Sequence, residues 1–158
     1  MTFLVILLLI IAVLFFIAFL TKRRFGVLGL ALAAGAMLSS LWVADLTPVV
    51  AQVGLVLVKP PLESVVATAL TLLPAILLLT SGPAYHSGMQ RFFGAFLFAL
   101  LAITLLLEPL GSALVIDGIG KDIYDVLGTY HVTIVTVCLV VAIIDVIITK
   151  APKIPTKH

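Results

Sequence analysis

Three side chains capable of proton or ligand chemistry lie seven residues apart near the C-terminus: His131, Cys138 and Asp145. Because a helix completes about two turns in seven residues, the three share one helix face. Asp145 is the one acid within an apolar run, where a carboxyl group is costly to bury, so it is a candidate coupling residue. The face either lines a polar path with a proton relay or packs into a helix bundle, with Asp145 reaching water or Lys150.

Patterns typical of enzymes are missing from the rest of the sequence. Ser39, Ser40 and Thr71 have no histidine or acidic partner at catalytic spacing, and there is no phosphate-binding glycine loop, His-Glu-x-x-His or CxxC motif. A single cysteine excludes an intrachain disulfide and a cysteine-based metal site within one chain. We therefore predict a non-enzymatic protein without cofactor or metal.

The composition indicates an integral membrane protein. Of 158 residues, 63% are hydrophobic and only 10% charged, whereas soluble domains carry about 25% charged residues. The net charge of +2 is too small to argue for a nucleic-acid partner, so the lipid bilayer is the expected one. We predict a single transmembrane helical domain at residues 1–150 and a basic cytoplasmic tail at residues 151–158.

The apolar runs predict an all-α bundle of about five transmembrane helices, since a bilayer core about 30 Å thick needs about 20 residues of helix. Trp42, Asp45 and Pro48 are expected to mark the end of the second span. Pro74 should kink the third span, with a neighbour such as Thr71 satisfying a freed carbonyl. The predicted spans are residues 3–20, 25–44, 62–80, 92–107 and 130–149.

Two apolar pieces, residues 49–58 and 110–119, are too short to cross as helices. We expect re-entrant or interfacial segments, and for the first a compact helix outside the membrane is the alternative.

The lysines and arginines fix the expected orientation. An outside N-terminus and inside C-terminus place seven of these residues on the inner side, and only Lys59 and Lys121 on the outer side. Cytoplasmic loops carry the excess of positive charge. We therefore predict a multi-pass protein of the cell inner membrane with this orientation.

Small residues recur at helical spacing in three of the spans, the third among them with Ala67, Thr71 and Ala75. Such stripes let neighbouring helices approach closely, so we predict packing faces within the bundle, in a homo-oligomer or against other membrane subunits. The other residues concerned are Ala31, Gly35 and Ser39 in the second span and Gly94, Ala95 and Ala99 in the fourth.

The sequence also contains a possible internal repeat. Arg24-Phe25-Gly26 opens the second span and Arg91-Phe92-Phe93-Gly94 opens the fourth. Two parallel hairpins related by an axis along the membrane normal would give this pattern. Alternatively, the two halves are unrelated, because any pair of membrane hairpins with basic turns on the inner side gives the same pattern.

From Lys22-Arg23-Arg24-Phe25-Gly26 onward, over about residues 3–107, the sequence resembles the CvpA family of colicin V production proteins. Met89-Gln90-Arg91-Phe92-Phe93-Gly94 stands where that family has an asparagine-arginine-leucine-glycine-like entry to a later span. The asparagine is missing, and the fifth span departs from the family's usual four. The resemblance implies an envelope protein tied to bacteriocin production or secretion and to envelope homeostasis, with no catalytic residue to carry over.

A second function stays open beside that one. Asp145, the proline at position 74, the short segment at 49–58 and the possible repeat are features of a small transporter or channel subunit. In that case Asp145 is the intramembrane coupling residue, and His131 and Cys138 are further candidates on the same helix face.

Overall fold

The computed structural model describes residues 2–52, 60–80, 84–85, 87–113 and 119–148, and within them the protein forms six α-helices. Four of these are long and apolar enough to cross a membrane, namely Phe25–Gln52, Leu62–Thr80, Gly88–Leu105 and Gly120–Ile148. The first helix contributes a shorter apolar stretch, Val5–Thr21. The helices are α1 (Thr2–Thr21), α2 (Phe25–Gln52), α3 (Leu62–Thr80), α4 (Gly88–Leu105), α5 (Leu107–Ala113) and α6 (Ile119–Ile148).

Helix α2 is longer than predicted, because it does not end at Pro48. It continues to Gln52, so residues 49–52 belong to α2 rather than to a separate short segment, and residues 53–58 lie outside the described chain. A proline inside a helix removes one backbone donor, which neighbouring hydroxyls can offset. Pro48 leaves the Ala44 carbonyl without its helical donor, and the Thr47 hydroxyl donates to the adjacent Val43 carbonyl at 2.6 Å.

Helix α6 also begins earlier than predicted. The charged stretch at residues 121–127 is its first part, so the expected fifth span, 130–149, lies within one 30-residue helix, apart from Thr149, which is outside the described chain. No proline occurs between Pro109 and Pro152, so nothing in the sequence breaks the helix there.

Of the second short segment, residues 110–113 belong to α5, which follows α4 after a single turn residue, Leu106. Residue 119 starts α6, and residues 114–118 lie outside the described chain, as does the tail at 151–158.

Helix α2 is the centre of the bundle. It packs most extensively along α3 and also against α4 and α6, while α1 packs on α4. The shared core is built from buried side chains of α2 (Phe25, Leu28, Leu32) and α4 (Phe98, Leu101). A central helix with contacts on several sides explains why so many small residues occur along α2.

The outward surface is strongly apolar. On α6, Val132 and Ile147 are each 73% exposed, and on α1 Leu9 is 61% exposed. Contiguous apolar surface of this kind suits lipid or another membrane-embedded protein rather than water.

The small residues of α2 lie on its buried side. Ala31 and Ser39 are buried, as is Gly35, whose hydrogen faces the α3 backbone so closely that a Cβ there would clash with the Thr71 carbonyl. It would also lie 3.0 Å from the Leu70 carbonyl oxygen, the group that Pro74 leaves without its usual helical donor.

The Thr71 hydroxyl does not satisfy that freed carbonyl, contrary to the sequence-based expectation. It donates to the Ala67 carbonyl at 2.9 Å. The close approach of Gly35 instead places α2 backbone against the weakened turn of α3. In α4, Gly94, Ala95 and Ala99 are likewise buried.

The two ends of the bundle differ in charge. The basic end, where α1, α3 and α6 finish and α2 and α4 begin, carries Lys22, Arg23, Arg24 and Arg91. The acidic end, opposite, carries one described lysine, Lys121, and five carboxylates: Asp45, Glu63, Glu108, Asp122 and Asp125.

Candidate functional site

Asp145 lies at the basic end, where its carboxylate joins three separate parts of the chain. Arg24 donates from its guanidinium to Oδ1 at 2.9 Å, forming an ion pair whose side chains are 19% and 16% exposed. The backbone N–H of Gly26 donates to Oδ2 at 2.8 Å, and the Tyr85 hydroxyl lies 3.2 Å from the same oxygen. We call these four residues the latch.

The Gly26 contact has a physical cause in the start of α2. The first turn of a helix has backbone N–H groups without helical partners, and its positive end of the helix dipole favours an anion. Asp145 comes from α6, 119 residues away in sequence, yet it fills the role that a capping side chain normally fills locally.

Glycine is required at position 26 because α6 approaches too closely for any side chain. A Cβ there would lie 2.6 Å from the Ala142 carbonyl oxygen, 2.8 Å from Val146 Cγ2 and 2.9 Å from Asp145 Oδ2. The glycine therefore sets the distance between α2 and α6, and that distance brings the carboxylate to the α2 backbone.

Tyr85 links the carboxylate to the same helix start. Its hydroxyl accepts from the Phe25 N–H at 3.1 Å while donating toward Asp145. Burial raises the pKa of the Tyr85 phenol above its usual value, so the hydroxyl keeps the proton that it donates. The ring rests against Gly94, where a Cβ would lie 2.6 Å from Tyr85 Cε2.

The other arginines of the basic end hold helix C-termini. Arg23 donates to the Leu79 and Thr80 carbonyls at 3.0 and 2.8 Å, at the end of α3. Arg91 donates to the Phe19 carbonyl near the end of α1 at 2.8 Å and lies over the Phe19 ring, 4.6 Å from its centroid. Cations at these positions satisfy unpaired carbonyls and complement the negative end of the helix dipole.

The turns between helices are tied to each other at this end. The Tyr85 N–H donates to the Lys22 carbonyl at 2.8 Å, and Arg23 and Ala84 form an isolated antiparallel bridge. Lys22 has φ 58°, a left-handed conformation that ends α1 sharply. The basic residues thus close this end of the bundle through a connected set of hydrogen bonds.

The acidic end is open by comparison. A cavity of about 710 Å³ lies there between α2, α3, α5 and α6, with Leu105 at the end of α4 also in its wall. We call it the acidic-end cavity. Ser39, Ser64 and Thr71 are among the residues that line its walls, together with His131 and the carboxylates Glu63 and Glu108.

The seven-residue spacing of His131, Cys138 and Asp145 places them along one side of α6, but they line different spaces. His131 lines the acidic-end cavity, and Cys138, 1% exposed, borders an apolar cavity of about 330 Å³ between α4 and α6. Asp145 borders a third space of about 460 Å³ at the basic end. Pro74 lines none of these three cavities.

Within the described part of the chain, no three histidine, cysteine, aspartate or glutamate side chains are grouped so that they could hold a metal ion.

The sequence interpretation missed the partners of Asp145, namely Arg24, Gly26 and Tyr85. One signal for them is present in the sequence. A single acid inside an apolar run needs a donor, and Arg24-Phe25-Gly26 offers a cation and a helix start at the same membrane depth.

Comparison of the chain with models of known protein families, with curated proteins and with solved structures found no match.

Proposed function

We propose that the chain is a non-enzymatic integral membrane protein of the bacterial cell envelope, in which Asp145 has a structural role. The observation that carries the proposal is the latch. The carboxylate accepts hydrogen bonds from Arg24, Gly26 and Tyr85, and these bonds join α6 to the start of α2. Hydrogen bonds that join two helices hold the carboxylate in one position, which favours a structural role over a coupling role.

The envelope setting rests on the resemblance to CvpA-type proteins, which implies a role in bacteriocin production or secretion and in envelope homeostasis. The apolar outer surface supports partnership with the bilayer, and a homo-oligomer or other membrane subunits would cover part of α6 or α1. The protein would act through assembly in the inner membrane rather than through reaction chemistry.

We further propose five membrane crossings, with α1 as the first and the N-terminus outside. The charge asymmetry between the two ends of the bundle supports this orientation, because arginines and lysines concentrate at one end. The basic end would then face the cytoplasm and the acidic-end cavity the outside.

Cysteine labelling tests this orientation. In a Cys138→Ser background, single cysteines replace Ser87 at the basic end and Ser112 at the acidic end, both exposed positions. An impermeant thiol reagent added to intact cells should label position 112 and spare position 87. Labelling of position 87, alone or together with position 112, would reject the orientation.

A second candidate function, a small transporter or channel subunit, is favoured by one observation, the acidic-end cavity. Hydroxyl-bearing residues line its walls, and one of them, Thr71, is only 3% exposed. The polar lining therefore extends to a residue buried inside the bundle. In this alternative Asp145 would be the coupling residue, and opening of the latch would release the cavity contents toward the basic end.

Proteoliposomes separate the two candidates. The purified chain is reconstituted with an internal pH-sensitive dye, and proton flux is driven by a potassium diffusion potential. The structural proposal expects the flux of empty liposomes. Flux well above that background, lost in Asp145→Asn and partly kept in Asp145→Glu, would overturn it in favour of coupling.

A further inference from the structure

The acidic-end cavity is a built space rather than a gap between loose helices. Its volume of about 710 Å³ lies within the roughly 300–1,000 Å³ typical of small-molecule sites. Five helices contribute to its walls, and two of them, α3 and α5, are joined by the hydroxyls of Ser64 and Ser112, 2.8 Å apart.

One hydroxyl that lines this cavity has no hydrogen-bond partner among the described residues. Ser39 is only 8% exposed and lines the cavity, yet within the described residues it makes no side-chain hydrogen bond. Thr71, also buried there, donates to the Ala67 carbonyl and keeps its lone pairs free. The Ser39 hydroxyl therefore offers the cavity a donor and an acceptor that no described protein group uses, and a bound ligand can engage both.

The charged side chains that line the cavity within the described chain are both acidic. Glu63 and Glu108 are exposed at its border, and neither forms an ion pair among the described residues. No lysine or arginine of the described chain lines it. Hydroxyl oxygens inside and carboxylates at the border both accept hydrogen bonds, and a ligand that donates several hydrogen bonds and is positively charged complements them.

We propose that the acidic-end cavity binds a small organic cation, of the class of protonated alkyl amines. The carboxylates of Glu63 and Glu108 attract the ammonium group, and the hydroxyls of Ser39 and Thr71 accept its hydrogen bonds. The apolar wall, which includes Val43 and Leu105, contacts the carbon chain. Binding of this kind does not depend on transport, so it is compatible with either candidate function.

The test uses the purified full-length chain in detergent and a matched pair of probes, putrescine and its neutral analogue 1,4-butanediol. Isothermal titration and the shift in melting temperature give the affinity of each. We expect saturable binding of putrescine and none of butanediol at the same concentration. Equal responses to the two probes, or no response to either, would overturn the proposal.

Variants locate the binding site. Removing both carboxylates, Glu63→Gln with Glu108→Gln, should weaken putrescine binding about tenfold, the sum of two exposed charge pairs. Ser39→Ala should weaken it by a similar factor of about ten, since it removes an acceptor for a charged donor. The single Ser39→Ala change keeps the test valid if the double variant fails to fold.

The control is Asp122→Asn, which removes an exposed carboxylate from the same end of the bundle but outside the cavity lining. Its putrescine affinity should stay at the wild-type value. Weakening equal to that of the Glu63/Glu108 variant would mean that the amine binds the acidic surface in general and would reject the cavity as the site.

Discussion

The basic end and the acidic end of the bundle use polar residues in opposite ways. At the basic end, Arg23, Arg24 and Arg91 each bond to another helix, and Asp145 completes the closure. At the acidic end, Glu63 and Glu108 form no ion pair with a described residue, and a cavity separates the helices. Bonds between helices fix their positions at the basic end, whereas at the acidic end the helices leave a space that a ligand can fill.

The difference also shows why the number of lysines and arginines at each end does not by itself reveal what these side chains do in the fold. The arginines that indicate the cytoplasmic side in the sequence are, in the folded chain, caps of helix C-termini and a partner for Asp145. The positive-inside pattern and the capping pattern coincide because helices that end at the inner face present their carbonyls there. Three changes at the basic end, with matched controls, test its closure.

The largest expected loss of stability follows Asp145→Ala. This change leaves the Arg24 guanidinium without its carboxylate and the Gly26 N–H without an acceptor. Breaking a largely buried ion pair by removing one partner costs on the order of 3 kcal/mol. Unfolding in detergent, followed by circular dichroism, measures it. Asp122→Ala, at an exposed site, should stay within about 0.5 kcal/mol of wild type.

The next effect is expected from Gly26→Ala. The added methyl group meets the Ala142 carbonyl oxygen at 2.6 Å, so α2 and α6 must separate. Overpacking of this kind costs on the order of 1–3 kcal/mol. The control is Gly128→Ala on α6, where a Cβ meets nothing within 4 Å, and a helical glycine replaced by alanine gains up to about 1 kcal/mol. Equal melting curves for the two variants would contradict the close contact.

The smallest of these effects is expected from Tyr85→Phe. The ring keeps its place against Gly94, but the hydroxyl that bridges the Phe25 N–H and Asp145 is lost. The expected cost is about 1 kcal/mol, the net value of a typical hydrogen bond. Tyr130→Phe, at a tyrosine that is 56% exposed, provides the comparison. If both variants melt alike, Tyr85 does not support the latch through its hydroxyl.

Apolar run length and basic turns were sufficient to predict the helical class and the approximate position of most helices. They failed where a local signal was overridden. Pro48 did not end α2, and α6 begins at Ile119 rather than near the predicted start of the fifth span at residue 130. A proline or a charged turn shows only a local preference, whereas continuation of a helix depends on what its next turn meets.

The latch and the cavity could not be predicted for a different reason. Arg24 and Asp145 are 121 residues apart, and only packing of α2 against α6 brings them together. Likewise, the stripe of Ala31, Gly35 and Ser39 predicts close packing along its whole length. Gly35 does contact α3 closely, while Ser39, one turn further, lines the cavity. Sequence spacing defines a helix face but not where the neighbouring helix diverges from it.

The most direct test of the account is a double-mutant cycle between Arg24 and Asp145, measured as free energies of unfolding in detergent. The variants are Arg24→Gln, Asp145→Asn and the two combined; each change removes a charge, Asp145→Asn keeps the side-chain shape, and Arg24→Gln shortens the side chain but keeps a polar amide. If the latch holds the basic end closed, the double variant should cost less than the sum of the single ones, by on the order of 1–3 kcal/mol. Additive costs, within about 0.5 kcal/mol, would contradict the latch.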